Sequence, residues 1–147
     1  MLSHAVICIG NRYVNRDALG CRVLDCLNEP PFDRMAAEAQ AEVIDGGLCG
    51  LDLLRMLEGR QRVVFVDALA TTPEAGDIAV INGATIAAQA GSYGHSAGLP
   101  YLLAMASHVC TPPLPAVFLV GTCKIAGDDL LHKIACRSLE VCRHGRD

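Results

Sequence analysis

Residues 62 to 68 read Arg-Val-Val-Phe-Val-Asp-Ala (RVVFVDA). Four consecutive apolar residues, three of them valine, are typical of a strand that is buried on both faces of a parallel sheet. The predicted strand, residues 62–67, runs directly into an acid, Asp67, where a turn residue would be the usual choice. Because a carboxylate is costly to bury without a partner, Asp67 needs either a structural partner or a function.

The rest of the chain alternates between apolar runs and segments of helical periodicity. Strands are predicted over residues 5–9, 41–44, 62–67, 78–81 and 116–120, and helices over residues 17–28, 50–58, 99–109 and 128–143. This alternation predicts an α/β fold, a three-layer sandwich with helices on both faces of a twisted, mostly parallel five-stranded sheet. No repeat or linker divides the chain, so we expect residues 1–147 to form a single domain.

Composition narrows the classes of function. The net charge of −4 and the absence of any long basic tract argue against nucleic acid and against an acidic membrane surface as partners. No apolar run reaches the roughly 18–20 residues that span a bilayer, and the first residues do not resemble a signal peptide. We therefore expect a cytoplasmic protein, and a monomer, because no apolar interaction stripe is evident.

The eight cysteines are the next feature that invites a chemical interpretation. None are spaced C-x-x-C, which argues against a cysteine-based zinc site. A cytosolic chain of this size needs no disulfide framework, so most of the thiols are predicted to be small buried residues. Cys8, within the first strand, is expected to be buried and inert.

Several polar residues are predicted to meet at one edge of the sheet. In parallel sheets the functional crevice lies beyond the carboxyl ends of the strands. Asp67 ends the third strand there, Asp17 follows the first strand, and His95 precedes the helix that starts near residue 99. Two carboxylates and one imidazole make a plausible divalent-metal site with room for a further ligand, suited to nickel or zinc.

Each of these residues also has an ordinary structural interpretation. Asp17 alone would be an N-cap, His95 an exposed loop residue, and Asp45 a turn residue whose side chain holds the loop backbone. Motifs for other chemistries are absent or lack their context: Gly94-His95-Ser96-Ala97-Gly98 has the letters G-x-S-x-G but does not directly follow a predicted strand, as a nucleophile elbow would, and the chain has no G-x-G-x-x-G fingerprint. A cysteine nucleophile stays open at this point.

Five motifs in order resemble the nickel–iron (NiFe) hydrogenase maturation endopeptidases. These motifs are Gly10-Asn11, Asp17-Ala18-Leu19-Gly20, Asp45-Gly46-Gly47 with Gly50-Leu51, Val66-Asp67-Ala68, and His95-Ser96-Ala97-Gly98-Leu99. The resemblance extends over roughly residues 5–121. The chain differs from the family pattern at Cys8, where glycine is usual, and at Arg16, where an acid is usual.

The resemblance implies a metal-dependent or aspartyl-type endopeptidase. Such enzymes remove a C-terminal extension from the precursor of the hydrogenase large subunit after nickel has been inserted. The family's metal-contacting acids and histidine fall on Asp17, Asp67 and His95, and the nickel is expected to be carried by the substrate rather than held permanently by the enzyme.

Two other functions remain open from the sequence. The same scaffold could serve as a non-proteolytic, metal-sensing or chaperone-like binding protein. A phosphate- or nucleotide-binding domain that uses Gly46-Gly47 and a helix N-terminus is the third interpretation.

Overall fold

The computed structural model describes residues 1–14, 18–70, 76–88 and 98–146. The strands are β1 (His4–Ile9), β2 (Ala41–Gly47), β3 (Arg62–Ala68), β4 (Ala79–Asn82) and β5 (Ala116–Thr122). The helices are α1 (Leu19–Leu27), α2 (Phe32–Glu38), α3 (Leu54–Leu57), α4 (Gly83–Ala88), α5 (Gly98–Val109) and α6 (Asp128–His144), and a 3-10 turn (Leu51–Leu53) precedes α3.

The five strands form one mixed sheet in the order β2-β1-β3-β5-β4. The strands β2, β1, β3 and β5 are parallel, and β4 is antiparallel to β5. Every residue of β1 is buried, as is every residue of β3 after Arg62, because both strands are covered on two faces. The predicted α/β sandwich with a mostly parallel five-stranded sheet is confirmed.

The direction of β4 follows from the connection that precedes it. The chain leaves β3 at the carboxyl edge of the sheet, and ten residues lie between β3 and β4, too few for the crossover that a parallel strand requires. It therefore enters β4 from the same edge and runs antiparallel, pairing Ala79 with Gly121.

Successive side chains of β3 point to opposite faces and divide the core in two. Val64 and Val66 pack with α1, α2 and α6, whereas Val63 and Phe65 pack with the 3-10 turn, α3, α4 and α5. The Asp67 side chain falls, by this alternation, on the face of Phe65 and α5. Among the described residues, no helix has the length and apolar character to cross a membrane.

Some predicted elements needed correction. The helix expected over residues 50–58 is a 3-10 turn followed by the four residues of α3, and it ends where Glu58 becomes extended and Gly59 adopts a φ of 78°. Two helices, α2 and α4, were not predicted. The strand expected over residues 78–81 begins and ends one residue later, as β4.

Candidate functional site

Asp67 lies at the carboxyl end of β3, in the middle of the sheet, and its exposed fraction is 0%. The backbone N–H of Ala68 donates a hydrogen bond of 2.8 Å to Asp67 Oδ1. A hydrogen bond of this kind orients a carboxylate and stabilises its ionised form. The acid that interrupts the apolar run is thus held in a defined orientation at the edge where α/β folds build their sites.

Glycine at position 121 fixes the distance between β3 and β5 beside this acid. Asp67 is in register with Gly121, and a Cβ built on Gly121 would lie 2.1 Å from the Asp67 carbonyl oxygen. No side chain fits in that space, so β5 can approach the Asp67 backbone only because this residue is glycine. Gly121 could not be identified from the sequence, because strand order is needed to see which residue faces Asp67.

Hydrogen bonds join the loops that follow β1 and β2. Gly10 N–H donates to the Gly47 carbonyl oxygen (2.9 Å), and Gly47 N–H donates to Asp45 Oδ1 (2.9 Å). The pairing of β1 with β2 shifts at this point, so that Gly46 is a bulge. The prediction that the Asp45 side chain holds the local backbone is confirmed, although Asp45 lies within the last residues of β2 rather than in a turn. The Gly47 amide that a phosphate-binding loop would offer is already bonded to this side chain.

The first turn of α1 packs on the end of β1. Its N-cap is Ala18, and a Cβ built on Gly20 would lie 2.0 Å from the Ile9 carbonyl oxygen. Because residue 20 is glycine, the start of α1 can contact the end of β1, the strand adjacent to β3. Asp17, predicted as an acid of the site, lies outside the described residues, so its part in the site stays a prediction.

The start of α5 packs against the loop after β2. A Cβ built on Gly98 would lie 3.2 Å from the Cys49 carbonyl oxygen, on the face of the sheet to which Asp67 points. His95, the third predicted site residue, lies outside the described residues and stays a prediction. The described part of the chain contains no group of three or more histidine, cysteine or acidic residues able to hold a metal ion.

Two thiols close to this edge are poor nucleophiles. Burial, and then the negative charge of Asp67, raise the pKa of Cys49 to about 12. Burial, with a smaller contribution from Asp45, raises the pKa of Cys8 far above its ordinary range. Both thiols therefore stay protonated at neutral pH. The prediction that Cys8 is buried is confirmed.

A profile of the hydrogenase maturation protease family (HycI) matches residues 30–135, more than two thirds of the chain. The matched region includes Asp67 and the position of His95, whereas Asp17 precedes it. No curated protein sequence matches the chain significantly.

Solved structures of hydrogenase maturation proteases share the fold. The maturating endopeptidase HybD from E. coli is 21% identical, with 95% of this chain and 88% of that chain covered and a TM-score of 0.65. A hydrogenase 3 maturation protease is 20% identical, with coverages of 93% and 89% and a TM-score of 0.64. HybD from Thermococcus kodakarensis is 16% identical, with coverages of 95% and 96% and a TM-score of 0.57.

Proposed function

The chain belongs to the hydrogenase maturation protease family, and from this premise we propose that it removes the C-terminal extension of a NiFe-hydrogenase large-subunit precursor after nickel insertion. The observation that carries the proposal is the buried carboxylate of Asp67, oriented by Ala68 N–H at the carboxyl edge of the central strand. We further propose that the protein acts as a monomer in the cytoplasm.

In this proposal Asp17, Asp67 and His95 recognise the nickel that the precursor carries. Two carboxylate oxygens and an imidazole nitrogen are ligands that suit a borderline divalent ion such as nickel. The Ala68 hydrogen bond fits this role, because outer hydrogen bonds fix the orientation of metal-binding carboxylates. A precursor without nickel would lack these contacts and bind more weakly, so that specificity is a difference between two affinities.

The bond that breaks is the peptide bond before the extension. Hydrolysis adds one water to the carbonyl carbon, releases the new carboxyl end of the large subunit, and leaves the proton on the departing amine. The raised pKa values of Cys8 and Cys49 disfavour a covalent thiol mechanism at this edge. A carboxylate acting as general base towards water is the chemistry that the described residues favour.

Mass measurement of the precursor tests this function. Large-subunit precursors from the same organism are incubated with the protein, each with and without nickel loaded. We expect loss of a C-terminal peptide from the nickel-loaded form of one precursor only. If that precursor is bound but its mass stays unchanged, the non-proteolytic binding protein replaces this proposal. Cleavage of both forms would preserve the protease and refute nickel recognition by Asp17, Asp67 and His95.

A further inference from the structure

Large apolar side chains are exposed in the loops around the candidate site. They belong to the loops after β1, β2 and β5, and we call them the apolar rim: Tyr13, Val14, Leu48, Leu51 and Ile125. Tyr13 is 94% exposed, Leu48 75% and Ile125 96%. Exposed apolar residues grouped on one side of a molecule, rather than scattered singly, mark an interaction surface.

The order of the strands places Asp67 among these loops. Along the carboxyl edge the loop after β2 comes first, then the loop after β1, then Asp67 at the end of β3, and then the loop after β5. Leu48 is adjacent to Cys49, which belongs to the core cluster of Phe65 on the face of the sheet to which Asp67 points. The apolar rim therefore lies at the same edge of the sheet as the proposed site.

Hydrogen bonds hold the loops that carry the apolar rim. Arg12, next to Tyr13, forms a two-pronged ion pair with Asp25 of α1, with distances of 2.8 Å and 3.1 Å. From the same helix, Arg22 Nη1 donates to the Ala126 carbonyl oxygen (2.8 Å), next to Ile125. Helix α1 thus braces two of the three loops, and a braced surface loses less entropy when it binds.

Acidic side chains flank the part of the apolar rim that follows β2, whereas the cations near Ile125 are engaged: Lys124 pairs with Asp77, and Arg22 donates to the Ala126 carbonyl oxygen. Asp45 and Asp52 are exposed beside Leu48 and Leu51, and neither forms an ion pair with another described residue. Arg12 is neutralised by Asp25. Two copies that met through this edge would bring the same acids together, since a two-fold interface is self-complementary. The charge favours a different partner that offers cations.

We propose that the apolar rim, with Asp45 and Asp52, is the docking surface for the large-subunit precursor, which binds through an apolar segment flanked by lysine or arginine. This inference rests on the proposed function, and it assigns to the loops a role that Asp67 does not have. The rim provides affinity for the protein substrate, whereas the acids add attraction and orientation before contact.

The test compares two double variants. Tyr13→Ser with Leu48→Ser removes two side chains of the apolar rim, and Val109→Ser with Leu114→Ser is the matched control at the opposite edge, where both residues are also exposed. Cleavage of the nickel-loaded precursor is measured together with its binding by calorimetry. We expect the rim variant to raise KM and Kd about tenfold, as for loss of central interface residues, with kcat within twofold. The control should match the wild type.

Two further experiments test the role of the acidic residues and the possibility of self-association. Asp52→Lys should weaken binding and reduce its salt dependence, whereas Glu38→Lys on α2 should do neither. An unchanged KM and Kd in the rim variant, with wild-type cleavage intact, would overturn the docking surface and leave the protease. Binding that depends on the rim, without any cleavage, would support the docking surface and overturn the protease function. A wild-type dimer in light scattering that dissociates in the rim variant would show a second copy as the occupant and overturn the proposal.

Discussion

The two ends of the sheet both hold buried charge, and they use it differently. At the amino end, Arg60 has a side chain that is 1% exposed. Its donors reach the carbonyl oxygens of Met56 (2.7 Å), Leu2 and His4 (3.1 Å each) and the Glu42 carboxylate (2.8 Å). At the carboxyl end, Asp67 Oδ1 accepts a hydrogen bond of 2.8 Å from the backbone N–H of the adjacent residue in its own strand, Ala68.

This difference separates a charge that builds the fold from one that suits chemistry. Arg60 links three segments of the chain, and Arg62 likewise donates to the last carbonyl oxygens of α6, at Cys142 and Arg143. The bond from Ala68 orients the Asp67 carboxylate at the edge of the sheet where the site is proposed. Loss of Arg60 should therefore cost stability, and loss of the Asp67 charge should cost activity.

The substitution with the largest expected effect is Asp67→Asn, which tests whether the charge at the carboxyl end serves activity rather than stability. Asparagine keeps an oxygen that can accept the Ala68 N–H bond but removes the negative charge. We expect cleavage of the nickel-loaded precursor to fall at least about a thousandfold, about 4 kcal/mol in activation free energy, while the free energy of unfolding changes little. Single-turnover cleavage and denaturant unfolding measure the two effects.

Asp33→Asn is the matched control. Its side chain also accepts a bond from the backbone N–H of the next residue, Arg34 (2.8 Å), but it is exposed and lies on α2. Activity should stay within a few-fold of the wild type. Wild-type activity in Asp67→Asn would remove Asp67 from the site, and equal losses in both variants would indicate an effect of lost negative charge that is not specific to Asp67.

The second prediction concerns the amino end of the sheet. Arg60→Met preserves the length of the apolar stem but leaves the carbonyl oxygens of Leu2, His4 and Met56 without their donor. The free energy of unfolding should fall by about 3 kcal/mol, since each buried group left unsatisfied costs about 1–3 kcal/mol. Activity at a temperature where the variant is folded should be unchanged.

Glu42→Gln separates the charge of this pair from the backbone bonds. The Glu42 side chain is 46% exposed, so its ion pair with Arg60 is screened by solvent and should contribute under about 1 kcal/mol. If Glu42→Gln were as damaging as Arg60→Met, the ion pair rather than the carbonyl contacts would hold the amino end together.

Patterns along the chain revealed more of the fold than of the site. The apolar run of β3 and the periodicity of α1, α5 and α6 are local signals, and they sufficed for the sheet and its layers. Helix α2 has a local signal, since Phe32, Met35, Ala36 and Ala39 have helical spacing, but the Pro30-Pro31 pair directly before it is more typical of a break between elements. Helix α4 offers a weaker signal, with Ile86 as a buried apolar residue and Asn82 Oδ1 accepting from Ala84 N–H.

Residues that face each other across the sheet could not be predicted in this way. Gly121 lies opposite Asp67, and Gly20 lies against Ile9, only once the strand order is known. The predicted position of Asp67 at the carboxyl end of the third strand is confirmed, whereas its part in the site stays a prediction. The parts assigned to Asp17 and His95 remain predictions, because both residues lie outside the described part of the chain.

The smallest expected effect tests the link between Asp67 and Cys49. Burial first, and the Asp67 charge second, raise the pKa of Cys49 from 9.0 to about 12. Below pH 9 the thiol is protonated in both folded and unfolded chains, so it has no effect on stability. Between pH 9 and 12 only the unfolded chain ionises this thiol, which makes stability fall by up to about 1.4 kcal/mol per pH unit.

Cys49→Ala should therefore reduce the slope of stability against pH in this window, measured by urea unfolding at pH 8, 9 and 10. Asp67→Asn should lower the pKa of Cys49 and so end the loss of stability at a lower pH than in the wild type, because one of the charges that opposes the thiolate is gone. Burial would still hold this pKa above its ordinary value. An unchanged slope between pH 8 and 10 in Cys49→Ala would contradict the raised pKa of Cys49.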